Sequence, residues 1–316
     1  PGFLALGHGR LTVPDFDPDP LARFLDKQFG TAGLTLHRVE GGQSNPTYFV
    51  THGARRMVLR KQPAGPILRG AHAVDREFRV LSALQDTAAP VPRPILFEPD
   101  PGVTGTPFYL MERVEGRVFP DAALSGAKPG ERAPLWMGLA DALAALHGID
   151  PAAVGLGDYG RPGNYFDRQI ARWSKQWADS AHPPIPDLDR LRDWLVANQP
   201  PDDGHIAIAH GDFRMGNVIF APDAPRVAAI LDWELSTLGH PLADVGFCCM
   251  AWHTAPEDYG GLAGLDWSAL GLPSEAAFLD RYHATRPELP RPGPFHTAFA
   301  LFRFAVIWVG IADRVR

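Results

Sequence analysis

The chain has 316 residues, 45% of them hydrophobic, and a chain of that size can bury one large core or two moderate ones. Its net charge of −6 and pI near 6.1 provide no general attraction for nucleic acid or for an anionic membrane surface, so neither is expected as a partner. The only cysteines, Cys248 and Cys249, are adjacent and cannot staple distant segments, and no basic region followed by an apolar one opens the sequence; a cytoplasmic protein without a signal peptide is expected.

In chain order, Asp19-Pro20 reads as an N-cap with proline at the first helical position, opening a helix with Leu21, Phe24, Leu25 and Gln28 along one side. Residues 34–40, 47–51 and 56–61 read as three strands, with His52-Gly53-Ala54 turning the second into the third. Between the first two lies Gly41-Gly42-Gln43-Ser44-Asn45, whose backbone amides, clear of bulky side chains, suit nucleotide phosphates; an ordinary hairpin turn is the other reading. On the third strand Val58 and Arg60 share one face, and Leu59 and Lys61 the other. Val74, Phe78, Leu81 and Leu84 recur at helical spacing, which predicts an amphipathic helix over 75–84 carrying Glu77.

Residues 108–116 form a strand ended by Gly116, and 133–147 and 165–178 read as helices. On the latter, Phe166, Ile170, Trp173 and Trp177 make a core stripe. Arg168, Arg172 and Lys175 fall on the opposite face, which either solvent or an anionic substrate such as an acyl-CoA would meet. The most apolar stretch, 298–312, carries Arg303 and is shorter than the roughly 20 residues that span a bilayer, so a buried helix is expected and no membrane. The 32 prolines concentrate in connections such as 99–107, 183–186 and 287–294.

The stretch richest in chemistry is His210-Gly211-Asp212-Phe213-Arg214-Met215-Gly216-Asn217, followed by two short apolar runs and Ile230-Leu231-Asp232-Trp233-Glu234. Val218-Ile219-Phe220 and Val227-Ala228-Ala229-Ile230-Leu231 read as a hairpin around a Pro-Asp-Ala-Pro turn. Such a hairpin puts Asn217 and Asp232 at one open end, about 5 Å apart across the ladder. An amide oxygen beside a carboxylate is a hard ligand pair suited to Mg²⁺, which shares its shell with substrate phosphates. Asp212 lies five residues before Asn217 on a loop with Gly211 and Gly216 to bend it, placed to accept a proton from a substrate hydroxyl. The order of these groups implies transfer of the γ-phosphoryl of ATP, whereas any one of them alone reads as a turn former or cap. A metal-dependent hydrolase built on His210, Asp212 and Asp232 is the weaker alternative, because no second histidine-rich ligand run accompanies them, and the spacing of His205, His210 and His240 forms no compact zinc pattern.

The His-Gly-Asp run, the Asn four residues on and the later Asp-Trp-Glu resemble the aminoglycoside phosphotransferase and choline kinase branch of the protein-kinase-like fold. Residues 41–48, 58–61, 75–78 and 231–242 resemble more narrowly the kinase-like domain fused to some acyl-CoA dehydrogenases. The resemblance implies an α+β, bilobal fold, with a small antiparallel-sheet N-lobe over 1–114 and a larger, mainly helical C-lobe over 115–316. It implies ATP and Mg as cofactors, with Asn217 and Asp232 as metal ligands and Asp212 as catalytic residue. Nucleotide contacts fall to Gly41, Gly42, Gln43, Ser44, Asn45 and Arg60, with Lys61 in reserve for the phosphates. Glu77 would pair with Arg60, and the backbone from Glu112 to Val114 would meet adenine at a hinge. Arg214 stands where many protein kinases carry a lysine; stabilising the γ-phosphoryl and a structural ion pair are both open for it. His210 and Asp244 would support the catalytic loop, and Glu234 would add a further carboxylate. The implied activity is a small-molecule kinase acting on a hydroxyl, of a hydroxyacyl-CoA or related metabolite, with an acyl-CoA dehydrogenase as partner. An aminoglycoside-type antibiotic kinase and a nucleotide-binding pseudokinase are the alternatives.

Overall fold

A computed structural model of the chain describes residues 14–39, 45–65 and 72–315. Along the chain run α1 (Pro18–Phe29), β1 (Leu34–Arg38), β2 (Thr47–His52), β3 (Arg55–Lys61), α2 (Val74–Leu84), β4 (Pro94–Glu98), β5 (Phe108–Glu112) and α3 (Pro129–His147). Then follow α4 (Tyr165–Ala178), α5 (Pro186–Ala197), β6 (Ala207–Ala209), β7 (Val218–Phe220), β8 (Val227–Ile230), β9 (Thr237–Gly239), α6 (Leu242–His253), α7 (Pro256–Tyr259), α8 (Glu275–Thr285) and α9 (Pro294–Val315). The chain forms two compact units, one of residues up to Lys128 together with Met215–Glu234, the other of Pro129–Arg214 and the residues from Leu235 on.

The first unit is built on an antiparallel sheet of order β1-β2-β3-β5-β4. Strand alternation sends Met57 and Leu59 of β3 into one core with Leu21 and Leu25 of α1 and with Tyr48, Val50, Phe108 and Leu110. The opposite face carries Val58, Arg60 and Tyr109, and Phe78 of α2 stacks there on Phe97 at 5.9 Å and packs at a tilt against Tyr109 at 6.1 Å. Helix α1 begins one Asp-Pro pair earlier than the sequence suggests. The Asp17 carboxylate accepts the Asp19 N–H at 3.0 Å with Pro18 at the first position, so Asp19 stands within the first turn.

A lobe boundary at 114/115 was expected from sequence, whereas the compact units divide at Lys128, and Met215–Glu234 returns to the first. The β7–β8 hairpin causes the difference. Arg117 and Phe220 exchange both backbone hydrogen bonds, at 2.8 and 2.9 Å, and Ile230 donates to the Pro90 carbonyl at 2.8 Å. A Cβ at Gly116 would lie 2.2 Å from the Phe220 carbonyl oxygen, so only glycine permits this approach.

The second unit is mainly helical. Phe166, Ile170, Trp173 and Trp177 of α4 are buried with Leu188 and Leu195 of α5 and with Phe295, Phe299, Phe302 and Val306 of α9. Helix α9 is longer than the expected 298–312: its stretch Pro294–Asp313 is, by length and a mean hydropathy of 1.7, apolar enough to cross a bilayer, and its inner face is part of this core. Helix α3 also begins earlier than expected, at Pro129, and carries Pro134 inside. The short strands β6 and β9 pair antiparallel and flank the segment that leads into the candidate catalytic loop.

Candidate active site

In the first unit the central side chain is Arg60 on β3, with 3% of its side chain exposed. Its Nε lies 3.0 Å from Glu77 Oε2, its Nη2 donates to Asp232 Oδ1 at 2.6 Å, and Glu234 stands 3.9 Å away. Burial works to lower the guanidinium's pKa, but Glu77 and then Asp232 more than offset it, leaving the cation fixed. Helix α2 delivers Glu77 to this point, where Asn45 Nδ2 donates to it at 2.6 Å and the Tyr109 hydroxyl at 3.0 Å. Burial pushes the Glu77 carboxyl upward while Arg60, Tyr109 and Asn45 pull it back.

Lys61 points to the other face of the sheet. Its Nζ sits 3.3 Å from Asp15 Oδ1 and 4.9 Å over the Phe16 ring, and Asp15 also accepts from the Tyr48 hydroxyl at 2.6 Å. The two adjacent cations therefore meet different groups, and Arg60 is the one among the carboxylates. Of the candidate phosphate loop, Asn45 is the described member; Gly41, Gly42, Gln43 and Ser44 lie outside the described residues.

The β7–β8 hairpin carries Asn217 and Asp232 at one end, with a register that corrects the simple ladder. Val218 faces Ile230, so the partner of Asn217 is Leu231, which donates its N–H to the Asn217 carbonyl at 2.8 Å. Asp232 comes one residue later and turns out of the ladder with φ 66, in the left-handed region. Such a backbone in a non-glycine residue is strained, and it concentrates at ligand sites. Asn217 is fully buried, and the Asp232 side chain is 20% exposed. A buried amide and a carboxylate turned to the open end form an oxygen donor set that fits Mg²⁺.

In the second unit, a fully enclosed set of hydrogen bonds fixes the loop entering Asp212. Asp244 on α6 accepts the His210 N–H on Oδ2 at 2.7 Å and the Gly211 N–H on Oδ1 at 2.8 Å. The same carboxylate meets His147 Nε2 at 3.2 Å, and His147 Nδ1 meets the Tyr282 hydroxyl at 2.7 Å. Burial pushes the Tyr282 phenol upward, so its hydroxyl keeps its proton. Burial works to raise the Asp244 carboxyl, but the His147 hydrogen bond and charge outweigh it, and the group is held below its ordinary value.

His210, also fully buried, accepts the Asp212 N–H on Nδ1 at 3.2 Å, and Cys248 Sγ donates to the Phe213 carbonyl at 3.2 Å. Gly211 has φ 84, and a Cβ there would sit 2.7 Å from the Leu235 carbonyl oxygen. The Asp212 side chain remains 23% exposed, with Arg214 Nε 3.4 Å from one of its oxygens. Sequence reading missed His147 and Tyr282, since neither lies in a motif and only the packing of α3 and α8 brings them to Asp244.

Other sequence candidates meet partners of their own. Glu112 donates its N–H to the Arg93 carbonyl at 2.8 Å at the end of β5, with half-buried Val114 two residues on. On the basic face of α4, Lys175 pairs with Asp179 at 2.8 Å and Arg168 donates to the Arg161 and Pro162 carbonyls. His240 Nε2 lies 3.0 Å from Asp203 while its Nδ1 accepts the Leu242 N–H at 3.2 Å. Among the described residues no three His, Cys, Asp or Glu side chains gather as a metal-binding group.

Comparisons with known proteins show the family and the fold. A family model described as the phosphotransferase enzyme family matches residues 35–279. Acyl-CoA dehydrogenase family member 11 of Rattus norvegicus is 39% identical over 309 residues, 95% of this chain and 40% of that protein. The chain thus spans about two fifths of the length of that relative. A crystal structure from Ralstonia eutropha JMP134, carrying a provisional aminoglycoside phosphotransferase name, is 42% identical with a TM-score of 0.83, covering 95% of this chain and 90% of that one. A thermostable mutant of aminoglycoside phosphotransferase APH(4)-Ia, in ternary complex with AMP-PNP and hygromycin B, shares the fold at a TM-score of 0.62 and 16% identity, covering 94% of both chains. The fold is accordingly α+β and protein-kinase-like.

Proposed function

The chain belongs to the phosphotransferase enzyme family, and from that premise we propose that it moves the γ-phosphoryl group of ATP, with Mg²⁺, onto a hydroxyl of a small molecule, a hydroxyacyl-CoA or related metabolite. The observation that carries this reading is the buried guanidinium of Arg60 joined at once to Glu77 and Asp232. A cation held among carboxylates in a sheet meets the demands of a polyphosphate site, in which phosphate and metal partly take over the charges that now satisfy one another.

In this mechanism Asp212 accepts the proton of the acceptor hydroxyl as its oxygen attacks the γ-phosphorus and the bond from that phosphorus to the bridging oxygen of ADP breaks. Arg214, beside Asp212, offsets charge on the transferred group. The 41–45 loop and Arg60 hold the phosphates, and the backbone from Glu112 to Val114 meets adenine. Asn217 and Asp232 would hold a magnesium ion, which would neutralise phosphate charge. Asp244, His147 and His210 keep the loop before Asp212 in one conformation, so the base needs little reordering. The names of the relatives support an acyl-CoA dehydrogenase as partner, and the two free, buried cysteines are compatible with a reduced cytoplasm.

The test is ATP consumption by the full chain against hydroxyacyl-CoAs, amino sugars and small alcohols. Asp212→Asn is expected to cut kcat by about 10²–10⁴ with ATP affinity nearly unchanged. Full turnover in that variant, or no consumption with any acceptor, would sink the reading, the second result favouring a nucleotide-binding pseudokinase.

A further inference from the structure

Helix α2 of the first unit starts without a capping side chain: its N-cap is Ala73, and the residue before it, His72, stands in the left-handed region with φ 58. Val74 donates its N–H back to the His72 carbonyl at 2.9 Å, and the Ala73 carbonyl accepts from Arg76 and Glu77 at 3.0 and 3.2 Å. A left-handed backbone in a residue other than glycine is strained, and such residues gather where a side chain must be aimed. At His72 that side chain is a half-buried imidazole whose Nδ1 lies 3.1 Å from Asn45 Oδ1.

Chemistry fixes the direction of this contact. The Asn45 amide, 3% exposed, gives its Nδ2 to Glu77 Oε1 at 2.6 Å, where a carboxylate accepts, so Oδ1 is the end turned to His72. An amide oxygen only accepts, and His72 Nδ1 therefore carries the proton. From His72 the donors run one way, imidazole to amide and amide to carboxylate. The other Glu77 oxygen lies 3.0 Å from Arg60 Nε, and Arg60 Nη2 donates to Asp232. Groups linked in this way polarise one another, and each holds the next in place. The backbone beside the amide is tied as well: the Asn45 carbonyl accepts from the Thr47 hydroxyl of β2 at 3.0 Å, and the Pro46 carbonyl accepts the Lys61 N–H of β3 at 3.0 Å.

We propose that His72 is a positioning residue of the nucleotide site: its Nδ1–H sets the Asn45 amide against Glu77, so that the end of the candidate phosphate loop and Arg60 meet the phosphates already aimed. This rests on the nucleotide reading of residues 41–45 and Arg60. His72 touches no substrate in this role and acts through Asn45. Without the imidazole the buried Oδ1 loses its donor and the amide is held at one end only, so part of the binding free energy goes into ordering it again.

Calorimetric titration of the full chain with AMP-PNP and Mg²⁺, with ADP and Mg²⁺, and with adenosine separates recognition of the phosphates from that of the base. His72→Gly keeps the left-handed backbone free of strain and removes the imidazole. Its melting is expected to stay near wild type, while the Kd for AMP-PNP and ADP rises about tenfold and that for adenosine is unchanged. His72→Asn, which tolerates the same backbone and sets an amide N–H where Nδ1 stands, is expected to recover most of the loss. Equal AMP-PNP affinity in His72→Gly, a parallel loss for adenosine, a large fall in its melting temperature, or no recovery in His72→Asn would overturn the proposal. A wild-type chain that binds none of the three ligands removes the nucleotide reading itself, whereas wild-type binding with an indifferent His72→Gly removes only the role of His72.

Discussion

Arg60 and Lys61 are neighbours of the same charge, and a half-turn of the strand separates their fates. Arg60 faces Glu77 and Asp232, while Lys61 is enclosed with Asp15 and Phe16. Period-two alternation makes that division readable from Val58-Leu59-Arg60-Lys61, but the partners come from segments up to 172 residues away. Arg60→Gln leaves buried Glu77 without its cation and is expected to cost about 3–5 kcal/mol of stability in denaturant melts. Adding Glu77→Gln should restore a substantial part, since both charges are then gone; a double variant as weak as the sum of the two singles would contradict that coupling. Asn217 and Asp232 could be placed at one end of the hairpin from sequence, yet their one-residue offset could not. It depends on Asp232 entering the left-handed region, a conformation that residue type permits without requiring.

At the scale of elements, periodicity located most of the helices and strands that carry the site, with α4 matching its expected span of 165–178. Boundaries were less legible where one signal occurs twice: Asp17-Pro18 and Asp19-Pro20 carry the same capping chemistry, and the observed cap is the first. Gly116 has a role that the local reading did not give. The strand expected over 108–116 ends at Glu112, before this glycine, and the consequence of Gly116 is to let the Phe220 carbonyl approach and so attach the hairpin bearing Asn217 and Asp232. Gly116→Ala is expected to destabilise the protein by about 1–3 kcal/mol and to impair turnover by displacing that hairpin. A variant with wild-type melting and turnover would show that the hairpin is held by other contacts.

For the molecule as a whole, the chain passes between its two compact units at Lys128, Arg214 and Glu234, and the later two crossings bracket the hairpin. Global stability should carry the mark of imidazoles buried in the second unit. His296, 7% exposed, has its pKa lowered by burial from 6.5 to about 4, and burial lowers neighbouring His240 as well, with Asp203 opposing. The unfolded chain therefore binds more protons than the native one between pH 6.5 and 4. Stability is complete above that window and falls as pH drops through it, by at most about 3 kcal/mol from His296. The denaturation midpoint of His296→Gln should depend less on pH there than that of the wild type; equal slopes would show that His296 does not stay neutral when folded.

The sequence by itself determined the order of the chemical groups, the faces of the strands and helices that carry them, and the family, because periodicity and motif spacing are local properties of the chain. Only the tertiary structure decided that Tyr282 and His147 stand behind Asp244, that the hairpin belongs with the first unit, and that the Tyr259 ring lies beside Arg214. Those are contacts between segments remote in sequence, selected by packing and by the need to satisfy buried polar groups, which no local pattern of residues records.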